Sequence, residues 1–189
     1  MRVPTLFFAF LSGFVISACG QDASPPMPIP ADPATNPANQ PARGAVVTLS
    51  PTAGHAVAGR LTLVQENTGV RIRGDVTGLQ PDREHAFHVH EIGDCSAPDA
   101  TSAGNHFNPL EQPHGHPIGG PHHAGDMLNL HANSQGVAQV DILTSSLTVG
   151  GNEPTDVIGK ALVVHADQDD YQSQPDGNSG DRLACGVIE

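Results

Sequence analysis

The sequence predicts an all-β domain, and three observations carry that prediction. Short apolar or alternating segments recur along the chain, residues such as Gly, Pro, Asn and Asp separate them, and no stretch reads as a long amphipathic helix. The first strand is expected over Ala45 to Leu49 and the second over Ala58 to Glu66. The third, Val70 to Val76, puts Val70, Ile72 and Val76 on one face and Arg71, Arg73 and Asp75 on the other, as in a sheet wet on one side. The fourth, Glu84 to Glu91, sets Phe87 and Val89 on one face and His88 and His90 on the other, so that a strand anchored in a core also presents two imidazoles together. Met127 to His131 and Val137 to Leu143 follow. Ala161 to Val164 is a β-branched, apolar run ending at His165, and Leu183 to Ile188 closes the series. About 145 residues of this kind suit one domain of two sheets packed face to face. Two long excursions, Gly93 to Gly125 and Ala166 to Asp181, are left over for function.

The histidines single out the first excursion. His88, His90, His106, His114 and His123, with Asp126, fall between Ala86 and Asp126 in a chain that has 11 histidines among 189 residues. That density, closed by a carboxylate, reads as a metal site with His165 as a further nitrogen. Imidazole suits both Cu(II) and Zn(II), a carboxylate suits zinc, and four nitrogens support the tetragonal geometry of Cu(II). The spacing of His114, His116, His122 and His123 does not say which two of them bind. His55, His85 and His131 lie apart from the motifs.

Several motifs in order resemble the copper,zinc superoxide dismutases: Phe87 to Glu91, Ser102 to Pro109, Gly125-Asp126, Leu162 to Asp167 and Gly180 to Gly186, together spanning about Gly44 to Ile188. The resemblance implies a Greek-key β-sandwich or flattened barrel of about eight antiparallel strands. It implies copper on His88, His90, His106 and His165, and zinc on His106, His114, His123 and Asp126, with His106 shared. Zinc with three nitrogens and one oxygen is closed and structural, which leaves copper as the redox centre. The implied activity is dismutation of superoxide anion to dioxygen and hydrogen peroxide, with His106 and Arg182 in the reaction. Arg182 has a permanent charge and several donors suited to a small anion. Asp169 holds the family's position for a carboxylate joining a copper ligand to a zinc ligand, with Asp167 and Asp170 confusable with it. By the resemblance His114 and His123 bind zinc, which leaves His116 and His122 as loop residues outside the common pattern. Both a monomer and a homodimer fit.

The N-terminus is expected to direct export. Arg2 precedes the apolar run Leu6 to Ile16, too short to span a bilayer, and Met1 to Ala18 reads as a signal peptide. Ile16-Ser17-Ala18-Cys19 resembles a bacterial lipoprotein processing site, which makes Cys19 a lipidated first residue anchored to a membrane on the periplasmic side; ordinary cleavage leaving a free thiol is the alternative. Residues 19–43 form a Pro-rich tether with no means of building a core, and residues 44–189 the catalytic domain. Cys95 and Cys185 remain, and they match the family's disulfide, as an exported protein would allow.

With 8 basic against 20 acidic residues the net charge is −12, which makes nucleic acid an unsuitable partner. Two other classes compete with the enzyme. A periplasmic copper/zinc-binding or metal-delivery module favours exposed ligands and Met-rich copper(I) sites, and this chain has 3 methionines. A zinc hydrolase needs an open zinc position with a base beside it.

Overall fold

A computed structural model describes residues 43–189; the expected signal peptide, Cys19 and the tether up to residue 42 lie outside the described residues. Nine strands form: β1 (Gly44–Pro51), β2 (Ala58–Glu66), β3 (Gly69–Thr77), β4 (Glu84–His85), β5 (Phe87–His90), β6 (Leu130–His131), β7 (Ala138–Thr144), β8 (Ala161–His165) and β9 (Arg182–Val187). A short 3-10 turn, Thr101–Ala103, is the one helical element among the described residues. Seven strands make one antiparallel sheet in the order β5-β8-β9-β1-β2-β3-β7, and β4 and β6 pair separately. β1 belongs to both arms: along Gly44 to Leu49 it pairs with β2, and at Ser50 and Pro51 with β9. The expected two faces are thus arms of one curled sheet. A single core fills it, joining Leu61, Leu63, Val70 and Ile72 of one arm to Phe87, Val89, Leu162 and Val164 of the other.

Two segments differ from expectation. The strand read as one from Glu84 to Glu91 is interrupted at Ala86, whose N–H donates to the Asp167 carbonyl and whose own carbonyl accepts from the His165 N–H. The expected strand Met127 to His131 shortens to Leu130–His131 because the Asn129 N–H donates to the Tyr171 hydroxyl instead of a ladder partner.

The arm that carries the histidines is covered on both faces. Phe87 and Val89 of β5 enter the main core, while Ala161 and Val163 of β8 join Ala100, Ala103 and Cys185 in a second, smaller cluster on the far side. The register sets His88 opposite Val163 and His90 opposite Ala161, so these imidazoles share that second face. Every residue of β5 and β8 is consequently buried, which is how a ligand pair comes to sit on rigid, water-excluded scaffold.

Cys95 and Cys185 form the disulfide, 90 residues apart in sequence. It fastens the loop after β5 to β9 next to Arg182. Closing so long a loop restricts the unfolded chain strongly. Cys185→Ser is expected to lower unfolding free energy by about 2 to 5 kcal/mol in urea melts of the oxidised protein; unchanged stability would remove the disulfide from the account.

Candidate metal centre

Backbone stitching brings distant residues to β5. The Phe107 N–H donates to the Val89 carbonyl at 2.8 Å, the Val89 N–H to the Gly125 carbonyl at 3.0 Å, and the Gly125 N–H to the Phe107 carbonyl at 2.9 Å. One residue of β5 thereby holds two segments of the long loop, and the residues next to the stitches are His106 and Asp126. Isolated bridges pair His90 with His106 and His88 with Asp126. Gly125 allows this approach, since a Cβ there would strike the Val89 carbonyl.

Two donor sets result, all eight places buried and His106 in both. The first comprises His88, His90, His106 and His165, with one nitrogen from each lying within 4.8 Å of all the others. His90 Nδ1 meets the Gly104 carbonyl at 3.0 Å and His165 Nδ1 the Gly180 carbonyl at 3.3 Å. A carbonyl only accepts, which favours the proton on Nδ1 and the lone pair on Nε2 in both rings, with Ser179 Oγ also 3.3 Å from His165 Nδ1. Those two Nε2 atoms face each other at 3.3 Å. In the same set, His88 Nδ1 and His106 Nε2 are buried with no hydrogen-bond partner. Buried imidazole lone pairs aimed at one point are unfavourable unless a cation lies between them. The residues fit a nitrogen-coordinated copper ion.

The second set comprises His106, His114, His123 and Asp126, again with donors within 4.8 Å of one another. Asp126 lies 2.9 Å from His106 Nδ1, 3.1 Å from His114 Nδ1 and 3.2 Å from His123 Nδ1, and His106 and His123 Nδ1 atoms are 3.4 Å apart. A tetrahedron with bonds of about 2.0 to 2.1 Å has edges of about 3.3 Å, the spacing that zinc with three imidazoles and a carboxylate requires. Asp126 is further aligned by the N–H groups of Gly115 and His123. His106 offers Nδ1 to this set and Nε2 to the other.

Asp169 joins the two sets. Its Oδ2 accepts from His88 Nε2 at 2.8 Å and its Oδ1 from His114 Nε2 at 2.9 Å, which fixes both tautomers and leaves both Nδ1 atoms free to ligate. Asp170, confusable with it in the sequence, instead accepts from Gln172, Ser173 and Asn178 of its own turn. Gly177 packs on the link, where a Cβ would collide with Asp169 Oδ1 and His114 Nε2. Arg182 donates to the Ala100 carbonyl at 2.6 Å and the Gly104 carbonyl at 2.7 Å. It lines a cavity of about 390 Å³ that also reaches His90, His106 and His165. The same cavity is bordered by Glu91 and Asp176, acidic residues that sequence reasoning passed over.

The surplus histidines stay outside both sets. His116 is exposed and its ring lies 4.4 Å from that of Tyr171, while His122 bonds Ser146 Oγ at 2.8 Å. His85, given no role from sequence, bonds the His165 carbonyl through Nδ1 at 2.9 Å, and His131 pairs with Glu84. Asn129 was also missed: its side chain bonds both the N–H and the carbonyl of Asp169.

Residues 57–188 match the family model described as copper/zinc superoxide dismutase. Two curated relatives from Aquifex aeolicus, superoxide dismutases (copper-zinc) 1 and 2, are each 43% identical, over 136 and 137 residues respectively. Those alignments cover 69% and 70% of this chain and 79% of each relative. A solved superoxide-dismutase-like protein from Bacillus subtilis superimposes with a TM-score of 0.69 at 34% identity, covering 76% of this chain and 97% of that one.

Burial dominates the titration of His88, His90 and His165. It lowers His88 to about 4 even though Asp169 pulls the other way, and it lowers His90 and His165 well below 6.5, with the neighbouring imidazoles adding to the effect. His114 behaves oppositely. Burial would lower His114, but the carboxylates of Asp126 and Asp169 outweigh it and raise the ring to about 10. Burial would likewise raise both acids, yet their histidine partners hold Asp126 far below the usual carboxylate range and Asp169 at about 2. Without metal, the lowered histidines contribute stability that is complete above pH 6.5 and lost as pH falls toward 4. The stability from His114 is complete below pH 6.5 and lost as pH rises toward 10. Urea melts of the metal-free protein are expected to show a maximum near pH 6.5, falling on either side by about 1.4 kcal/mol per pH unit for each unmatched proton. A flat profile from pH 5 to 8.5 would contradict these assignments.

Proposed function

The chain belongs to the copper/zinc superoxide dismutase family, and on that footing we propose that it disposes of superoxide with copper held by His88, His90, His106 and His165. Zinc is held by His106, His114, His123 and Asp126. The observation that carries the assignment is His106, a member of both donor sets, with Nδ1 2.9 Å from Asp126 and Nε2 buried without a partner. When bound, copper supplies one-electron exchange that turns two superoxide ions and two protons into dioxygen and hydrogen peroxide, while zinc supplies fixed charge and closed, redox-inert coordination.

The protein's residues handle the anion and the proton. Arg182 commits one N–H of each terminal nitrogen to a backbone carbonyl, which leaves three of its five donors for a small anion in the cavity. Those two carbonyls also hold the guanidinium still, so little side-chain entropy is lost when the anion arrives. His106 Nε2 is buried with no hydrogen-bond partner, on a ring 3.9, 5.1 and 6.3 Å from those of His88, His90 and His165, and is a nitrogen able to hold a proton for delivery to reduced substrate. Asp169 keeps His88 in one tautomer throughout.

The same reading extends to location. A leader over Met1 to Ala18, acyl chains on Cys19 and a Pro-rich tether over residues 19–43 make this an exported lipoprotein that protects the cell envelope from superoxide, and the Cys95–Cys185 disulfide accords with an oxidising compartment. Cleavage of the leader also removes Arg2, making the mature chain one unit more negative than −12.

Loading the purified protein with copper and zinc and following superoxide loss tests the assignment. His88→Ala is expected to fall to the rate of the metal-free protein, and equal rates with and without His88 would end the copper reading. Because the chain repels an anion at long range, raising ionic strength from about 0.01 to 0.15 M, where the Debye length contracts from about 30 to 8 Å, is expected to increase the rate constant. A steep fall instead would reveal an attractive field that the net charge conceals.

A further inference from the structure

One side chain outside the two donor sets grips a candidate zinc ligand through its backbone. Gln174 Oε1 accepts from the His114 N–H at 2.9 Å, and Gln174 Nε2 donates to the His114 carbonyl at 2.8 Å. The two residues are 60 positions apart. This reciprocal pairing satisfies both peptide groups of His114 with one amide, as a neighbouring strand would. Its ring is held by the same loop, through Asp169 on Nε2. A third contact lies two residues on, where the exposed His116 ring rests on Tyr171. His114 is therefore clamped at ring and backbone by one loop, and that loop's next residues, Pro175 and Asp176, border the cavity reached by Arg182.

We propose that Gln174 is a positioning residue for zinc: by pinning the His114 backbone it fixes the direction of Nδ1, and it ties zinc occupancy to the cavity wall at Pro175 and Asp176. The inference rests on the zinc assignment above. His114 lies in a segment without regular secondary structure, so its peptide has no ladder to orient it. Rotation of that peptide would swing Nδ1 off the point shared with Asp126, because Asp169 holds the ring only at Nε2. Gln174 is itself exposed, so substitution there removes the clamp without opening a core.

The full-length protein, wild type and carrying Gln174→Ala, Gln174→Glu or His114→Ala, is loaded with copper and zinc. Zinc transfer to a chromogenic chelator is timed, and Co(II) absorption is recorded after replacing zinc. Gln174→Ala is expected to release zinc about 10- to 100-fold faster and to shift the Co(II) bands, with the metal-free protein still melting cooperatively. Gln174→Glu keeps an acceptor for the His114 N–H but loses the donor to its carbonyl, and should fall between. Wild-type release and an unaltered Co(II) spectrum in Gln174→Ala, while His114→Ala fails to retain zinc, would overturn the clamp and leave the zinc assignment standing. Retention of zinc by His114→Ala would overturn both.

Discussion

The structure turns on buried imidazole lone pairs that face one another. His90 and His165 each set Nδ1 against a backbone carbonyl, an arrangement that favours lone pairs on the two Nε2 atoms that meet at 3.3 Å. His88 is in the same position, since Asp169 occupies its Nε2 and strands Nδ1. Burial forbids the usual relief, because protonating these rings is disfavoured, as the lowering of His88, His90 and His165 shows. A cation among them reconciles the four nitrogens. The folded chain thus carries an unfavourable arrangement that metal converts into a favourable one, as expected where a site is preorganised for its ion.

Such strain persists only if the surroundings over-determine it, and the curled sheet does so with few elements. β5 and β8 are held in register by four backbone pairs, and Val89 together with Glu91 anchors the segments carrying His106 and Asp126. The Cys95–Cys185 link holds the loop to β9, where Arg182 reaches across to Ala100 and Gly104. Gly104 then accepts from His90 as well as from Arg182. One carbonyl therefore couples the orientation of a candidate copper ligand to that of the Arg182 guanidinium.

Much of this was legible in the residues, for reasons that differ by element. The strands from Ala58 to Glu66 and Ala161 to His165 are bounded as expected because their neighbours and turns agree with the local pattern. His88 and His90 were legible because alternation on a strand leaves one geometry for a His-x-His pair. Asp169 was distinguished from Asp167 and Asp170 by resemblance alone, since an Asp-rich turn has no periodicity to read. The shortening of Met127 to His131 depended on Tyr171, more than 40 residues on in the chain, taking the Asn129 N–H. Asn129 and Gln174 were illegible for the same reason: a side-chain amide that reads a distant backbone leaves no spacing signature, whereas metal ligands must cluster by chemical type.

Charge explains why the guanidinium must be held so firmly. The chain is acidic, Glu91 and Asp176 border the cavity, and its single lysine, Lys160, is engaged with the Phe107 ring and the Glu91 carbonyl. Long-range attraction of an anion is therefore weak, and selection has to act at contact distance. A guanidinium with two terminal nitrogens already fixed presents its remaining donors in one orientation, and a small anion can meet those donors and the imidazole cluster at once. A larger anion would have to bring its charge past Glu91 and Asp176. The short-range arrangement therefore suits a small anion, and the surrounding negative charge disfavours bulkier ones.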